Sequence, residues 1–178
     1  MNEKRFSIGL AILLIALGVS LRIVPHPANF APVTAIAIFG GAVLPRKLAI
    51  WVPVAAMMVS DAVIGFYSMM PVIWACYALI ALASSLLLGR GRGRVVRGSA
   101  LTLGSSLFFF IVTNFAVWVM SGMYNHTWAG LVQCYTLAIP FFRGTVASDI
   151  VYTAALFGVF AVVRFMARGH LKPAAQNV

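Results

Sequence analysis

Long apolar runs, cut apart by short basic loops, constrain this chain more than any other feature. They occupy residues 6–24, 32–44, 49–66, 72–89, 99–120 and 145–167. All but the second approach the roughly 20 residues that a helix needs to cross a bilayer. In lipid every backbone N–H and C=O has to be satisfied within the protein, which a helix achieves alone. The reading is an all-α membrane protein, a six-transmembrane-helix bundle with a short second span. Residues 1–178 form a single integral membrane domain, with the lipid bilayer as its first partner.

The charges set an orientation. Of the 13 Lys and Arg residues, Lys4, Arg5, Arg46, Lys47, Arg90, Arg92, Arg94, Arg97, Arg164, Arg168 and Lys172 fall on one face when the chain is threaded back and forth. Arg22 and Arg143 fall on the other. Basic residues gather on the cytoplasmic side of membrane proteins, so both termini and loop 90–97 are assigned to the cytoplasm of a bacterial inner (plasma) membrane. The net charge of +10 is then a matter of topology. A nucleic-acid partner is set aside, because no soluble domain with aromatic side chains accompanies the arginines.

No polar stretch is longer than a short loop, so there is no room for a nucleotide-hydrolysing domain, and any energy source lies elsewhere. The phosphate loop Gly-x-x-x-x-Gly-Lys, the zinc motif His-Glu-x-x-His and the nucleophile elbow Gly-x-Ser-x-Gly are all missing. Arg22 and Pro25 follow the first run where a cleaved signal peptide would carry small residues, which reads as a retained helix. Two cysteines are too few for a disulfide framework.

The second run corresponds to about 20 Å of helix and holds the pair Gly40-Gly41, as a thinned, tilted or broken span would. The segment 25–32, with three prolines, folds over the outer mouth of the bundle, either as a lid or as a plain loop. Ser7 and Ala11, Ala16 and Ser20, and Ala81 and Ser85 are small pairs at four-residue spacing, suited to close helix contact.

Polar residues inside the spans carry the functional signal, since ionisable groups at membrane depth are costly. Asp61 lies in the outer third of the third span, Asp149 near the outer end of the sixth, Arg22 at the end of the first and Arg143 just before the sixth. Cys76 and Asn114 fall at similar or slightly deeper levels. These six converge on the extracytoplasmic half. The two aspartates and two arginines either neutralise one another and lock the helix ends, or bind a solute. Membrane aspartyl proteolysis is disfavoured, because Val-Ser-Asp61-Ala and Ala-Ser-Asp149-Ile lack the Gly-x-Gly-Asp context. No acidic group lies deeper to continue a proton path.

Cys76, between Trp74 and Tyr77, is either a small buried hydrophobe or, as a thiolate, a soft metal ligand. Cys134 is open to the same role or to pairing with Cys76. Segment 128–139, which includes Tyr135, suits an interfacial or re-entrant helix, its aromatics serving as anchors or as the wall of a pocket.

Six spans in under 200 residues with an outward mouth resemble the substrate-binding S-components of energy-coupling-factor vitamin transporters. The resemblance rests further on Arg22-Ile-Val-Pro-His-Pro-Ala-Asn-Phe-Ala-Pro-Val, Phe39-Gly-Gly-Ala, Ser60-Asp61, Thr113-Asn114-Phe-Ala-Val-Trp118 and Cys134-Tyr-Thr-Leu-Ala-Ile-Pro-Phe-Phe-Arg-Gly-Thr. It implies uptake of a vitamin, with Cys76, Tyr77, Asp61, Asn114, Arg22, Asp149, Arg143 and Tyr135 at the binding site. A solitary cobalamin-binding type ligates cobalt through a cysteine near position 76. Cobalamin is therefore the leading transported ligand, with Cys76 on the cobalt, no prosthetic group and an accessory decyanation as the only enzymatic activity. The alternatives are a carrier for another small vitamin with Cys76 structural, or a thiol-dependent membrane enzyme acting on the corrinoid. Ser7-Ile-Gly-Leu-Ala11 is a loose version of the Ala-x-x-x-Ala that docks the shared coupling module.

The orientation is testable by accessibility labelling. Arg92→Cys and His170→Cys are expected to react with an impermeant maleimide only after the membrane is opened, and His126→Cys directly in intact cells. Labelling of position 92 from outside would overturn the assignment.

Overall fold

The computed structural model describes residues 3–88 and 94–169, so Arg90, Arg92, His170 and Lys172 lie outside the described residues, as do the side chains of Arg94 and Arg168. It is all-helical: α1 (Glu3–Ile23), α2 (Val33–Val43), α3 (Arg46–Ile64), α4 (Met70–Leu87), α5 (Arg94–Met120) and α6 (Trp128–Gly169). Five of these are long and apolar enough to cross a membrane, and α2 is the shorter sixth. The chain is a multi-pass helical membrane protein.

α2 is the centre of the bundle. Its 11 residues rise about 16 Å, half the hydrocarbon thickness. A helix this short cannot meet water at both ends unless protein surrounds it, and it touches all five other helices. Every residue from Val33 to Gly41 is buried, which is why the segment is apolar on all sides.

Close packing around α2 relies on small residues. A Cβ on Gly41 would come within 2.5 Å of Ser84 Cβ and 2.6 Å of the Ala81 carbonyl on α4. Ser84 uses that proximity to donate to the Ile38 carbonyl at 2.5 Å. On the other side Gly18 of α1 meets Ala56 of α3 and Ile36 of α2. The buried faces are thus Ala11-Leu14-Gly18 and Ala81-Ser84, a shift from the expected pairs: Ala16 and Ser20 are exposed and Ser85 is only half-buried. Phe39 anchors α2 to α6 through edge contacts with Phe157 and Phe160, centroids 5.2 and 5.4 Å apart.

α6 departs most from expectation. The separate helix at 128–139 and the span at 145–167 are one helix of 42 residues that continues through Pro140. A proline inside a membrane helix removes one backbone bond without ending the helix when neighbours support it. At about 63 Å, α6 is too long to run straight through the hydrocarbon core. It meets α5 where the Tyr135 phenol donates to the Ile111 carbonyl at 2.7 Å, and again where Ser106 donates to Asp149 at 2.6 Å. Between these contacts α5 advances about 8 Å and α6 about 21 Å, so α6 does not follow α5 residue for residue, and its intervening stretch, which holds Pro140, touches α5 again where Phe142 packs on Phe110.

The loop 24–32 packs against α6. Ser148 donates to the Ala31 carbonyl at 2.9 Å, Phe30 packs on Tyr152 at 5.6 Å, and a Cβ at Gly144 would press within 2.8 Å of the Ala28 carbonyl. Asn29 turns the loop with a positive φ of 58°. Residues 23–29 are exposed and only the end of the loop, from Phe30 to Pro32, turns inward to meet α2.

Gly41→Val forces a branched side chain into backbone and is expected to cost about 1–3 kcal/mol by overpacking, read as a fall in melting temperature of the purified protein. Gly9→Ala, whose Cβ would meet nothing within 4 Å, is the control expected to leave stability unchanged or slightly raised.

Candidate functional site

α1 and α3 run parallel and in register: Gly18 sits beside Ala56, and one helical turn further on Arg22 meets Ser60 and Asp61. Arg22 lies in the last turn of α1, where a cation also complements the helix dipole. Its Nη1 donates to Asp61 Oδ1 at 2.8 Å and to Ser60 Oγ. The Trp74 indole N–H donates to Asp61 Oδ2 at 2.8 Å, so both carboxylate oxygens of the fully buried Asp61 are occupied. Arg22 also hydrogen-bonds Tyr67, in the loop between α3 and α4. Burial, and then the charge of Asp61, hold the Tyr67 phenol above its ordinary value, leaving it a neutral hydrogen-bonding group.

Asp149 has different company. It is 2% exposed and is held by hydroxyls, Ser106 at 2.6 Å and Thr34 of α2. It lies opposite the middle of α5 rather than near the outer end of a span, because α6 begins at Trp128. The expected arginine partner is found for Asp61 alone. Arg143 is exposed on α6, away from both aspartates.

Between these two groups lies a cavity of about 410 Å³. Arg22 and Asp149 line it, with Thr34, Thr113, Asn114 and Thr145 as further polar groups and His26, Asn29 and Tyr67 contributed by the loops. Its wall is aromatic. Tyr77 stacks on Phe109 with centroids 5.1 Å apart, and Phe110 packs on Phe142 at 4.7 Å. From α6, the stretch between Tyr135 and Asp149 contributes Ala138, Phe141, Phe142 and Thr145 to the lining.

Four expected site residues line the cavity, namely Arg22, Tyr77, Asn114 and Asp149, and Asp61 stands directly behind Arg22. Asn114 donates to the Phe110 carbonyl at 2.8 Å, which orients its amide. Tyr135 belongs to the α5 contact and Arg143 to the exposed face of α6, so neither reaches the lining. Cys76 is buried, 1% exposed, and faces away, because consecutive residues of a helix point about 100° apart and Tyr77 holds the cavity side. Cys134 bonds the Asn114 carbonyl at 3.4 Å, and both cysteines are free thiols. Among the described residues no group of three or more His, Cys, Asp or Glu side chains is placed to hold a metal ion.

Ser60, Thr113 and Thr145 were noted in the sequence only within the motifs around Asp61, Asn114 and Arg143, and Thr34 not at all, because hydroxyls are unremarkable in membrane helices. Ser60 beside Asp61 and Ser148 beside Asp149 were the available signal, although it is Ser106 that holds Asp149.

An all-α membrane bundle that folds around a loop-edged cavity, aromatic on its walls and charged at two points, defines the class. The chain belongs to a family of unknown function, DUF6580, whose model matches residues 2–172. No curated protein and no solved structure matches it.

Removing one partner of a buried ion pair leaves the other uncompensated, at about 3–5 kcal/mol. Arg22→Ala is therefore expected to destabilise strongly, and adding Asp61→Ala to recover part of the loss. A double variant as unstable as the sum of the two single variants would mean that the pair is not coupled.

Proposed function

We propose that this protein is an S-component-like solute-binding protein of the bacterial inner membrane, taking up a small vitamin-like molecule from the side opposite the basic loops. The observation that carries this reading is the cavity itself. Its volume falls at the lower end of the roughly 300–1,000 Å³ typical of small-molecule sites, and its lining combines aromatic side chains with convergent polar and charged ones. Such a space within a membrane bundle, with a buried carboxylate on its wall and residues of two loops at its edge, is suited to sequestering a solute.

The size of the cavity and the position of Cys76 favour the smaller vitamin over a corrinoid. A corrinoid would need the loops at 24–32 and 65–69 to open and α4 to turn until Cys76 reached the wall. Docking to a coupling module through Ser7 and Ala11 is also disfavoured, since Ala11 packs in the core against Leu14 and Ile36. Action as a solitary carrier is the simpler version. A membrane enzyme would need a reactive set beyond one thiol, and neither cysteine faces the cavity.

A thermal-shift screen of the purified protein with corrinoids, thiamine, riboflavin and biotin tests the proposal. A ligand at one hundred times its dissociation constant stabilises the fold by about 2.7 kcal/mol. Stabilisation by a small vitamin, unaltered in Cys76→Ser, is the expected result. A red, corrinoid-loaded protein whose spectrum changes in Cys76→Ser would instead establish cobalt ligation, and no stabilisation by any of them would remove the solute-binding reading.

A further inference from the structure

We infer that the cavity selects a flat ring bearing one positive charge, with the charge held at Asp149 and the ring lodged against the Tyr77 and Phe109 wall. This rests on the solute-binding reading above and names its substrate class.

The argument is one of charge balance. α1 contributes Arg22 to the cavity, and that charge is already met by Asp61 at 2.8 Å. α2 holds no ionisable residue, and neither does α5 between Gly98 and Met120. α3 contributes only Asp61, behind Arg22. α4 offers the Tyr77 phenol. From the loops come His26 and Tyr67, and on α6 the nearest cation, Arg143, is exposed and outside the lining. Among the described residues, Asp149 is therefore the one charge lining the cavity with no cation paired to it.

Its ligation leaves room for a guest. A carboxylate offers about four acceptor positions, and Ser106 and Thr34 fill two of them. Both partners are hydroxyls, which orient the group without cancelling its charge. Burial without a counter-charge disfavours the ionised carboxylate, and an N–H or quaternary nitrogen of the solute would stabilise that form.

The wall points the same way. The faces of Tyr77, Phe109, Phe110 and Phe142 carry negative quadrupole potential and attract a cation in a desolvated site. An anionic solute would meet that potential and Asp149 together. A neutral ring would fill the space but leave the carboxylate unanswered. Tyr77 and Asp149 line the same cavity, so a ring against the Tyr77 wall shares its space with the carboxylate.

The test is a charge series on the intact protein in nanodiscs, read by thermal unfolding: 1-methylnicotinamide and thiamine as cations, nicotinamide as the neutral ring, nicotinate as the anion. The cations are expected to bind roughly tenfold to a hundredfold more tightly than nicotinamide, and nicotinate not at all. Asp149→Asn is expected to level the series, and Thr34→Val, which frees one carboxylate position but keeps the charge, to retain it. Equal binding of nicotinamide or nicotinate in the unmodified protein, or a cation preference that survives Asp149→Asn, overturns the inference; the unmodified series decides alone if that variant does not fold. Binding of a neutral vitamin or a corrinoid with no cation preference would sink this inference and leave the proposed function standing. Failure of every ring and every vitamin to bind would remove both.

Discussion

A helix of 11 residues in the middle of a membrane protein is the constraint from which the rest of this architecture follows. Lipid offers no partner for the backbone groups at its ends, so α2 has to be enclosed. Enclosure demands close approach, which Gly41, Gly18 and Ala81 allow, and it demands that the chain leading into α2 be held against a neighbour. α6 supplies one, through Ser148 and Gly144. The cavity lies among α6, that loop and the buried helix.

The ion pair and the lone carboxylate divide the work of the site. Arg22, Asp61, Ser60, Trp74 and Tyr67 form a closed set in which every charge is answered, tying α1, α3, α4 and the loop between the last two. A set of this kind fixes geometry. Asp149, held only by hydroxyls on α5 and α2, has fixed geometry but unanswered charge. The two aspartates look alike in sequence, each preceded by serine, and differ entirely in company.

Much of this was legible in the chain because burial in lipid leaves a strong sequence signal. The spans 6–24, 49–66, 72–89 and 99–120 each overlap an observed helix, and Arg22, Asp61, Asn114 and Asp149 stand out because polar residues are rare at that depth. What was not legible depends on helix rotation and path. Tyr77 and Cys76 are neighbours in sequence, yet only one faces the cavity. Pro140 reads as a boundary between two helices, while neighbouring contacts carry the helix through it. Placing Asp149 too near the membrane surface followed directly from that reading. Hydroxyl partners such as Thr34 and Ser106 were hidden for a different reason: a lone threonine or serine in an apolar helix most often bonds its own backbone, as Thr113 does with Phe109.

The middle stretch of α6 has a bearing on how such a protein changes over time. In most bundles the width of a cavity is the distance between helices, and altering it means repacking whole interfaces. Here one stretch of a single helix, between the contacts at Tyr135 and Asp149, supplies Ala138, Phe141, Phe142 and Thr145 to the lining. Exchanges at those positions would resize the chamber and leave the central packing around α2 untouched. Diversification of the guest can thus proceed along one short stretch of chain, while the scaffold that tolerates it stays the same.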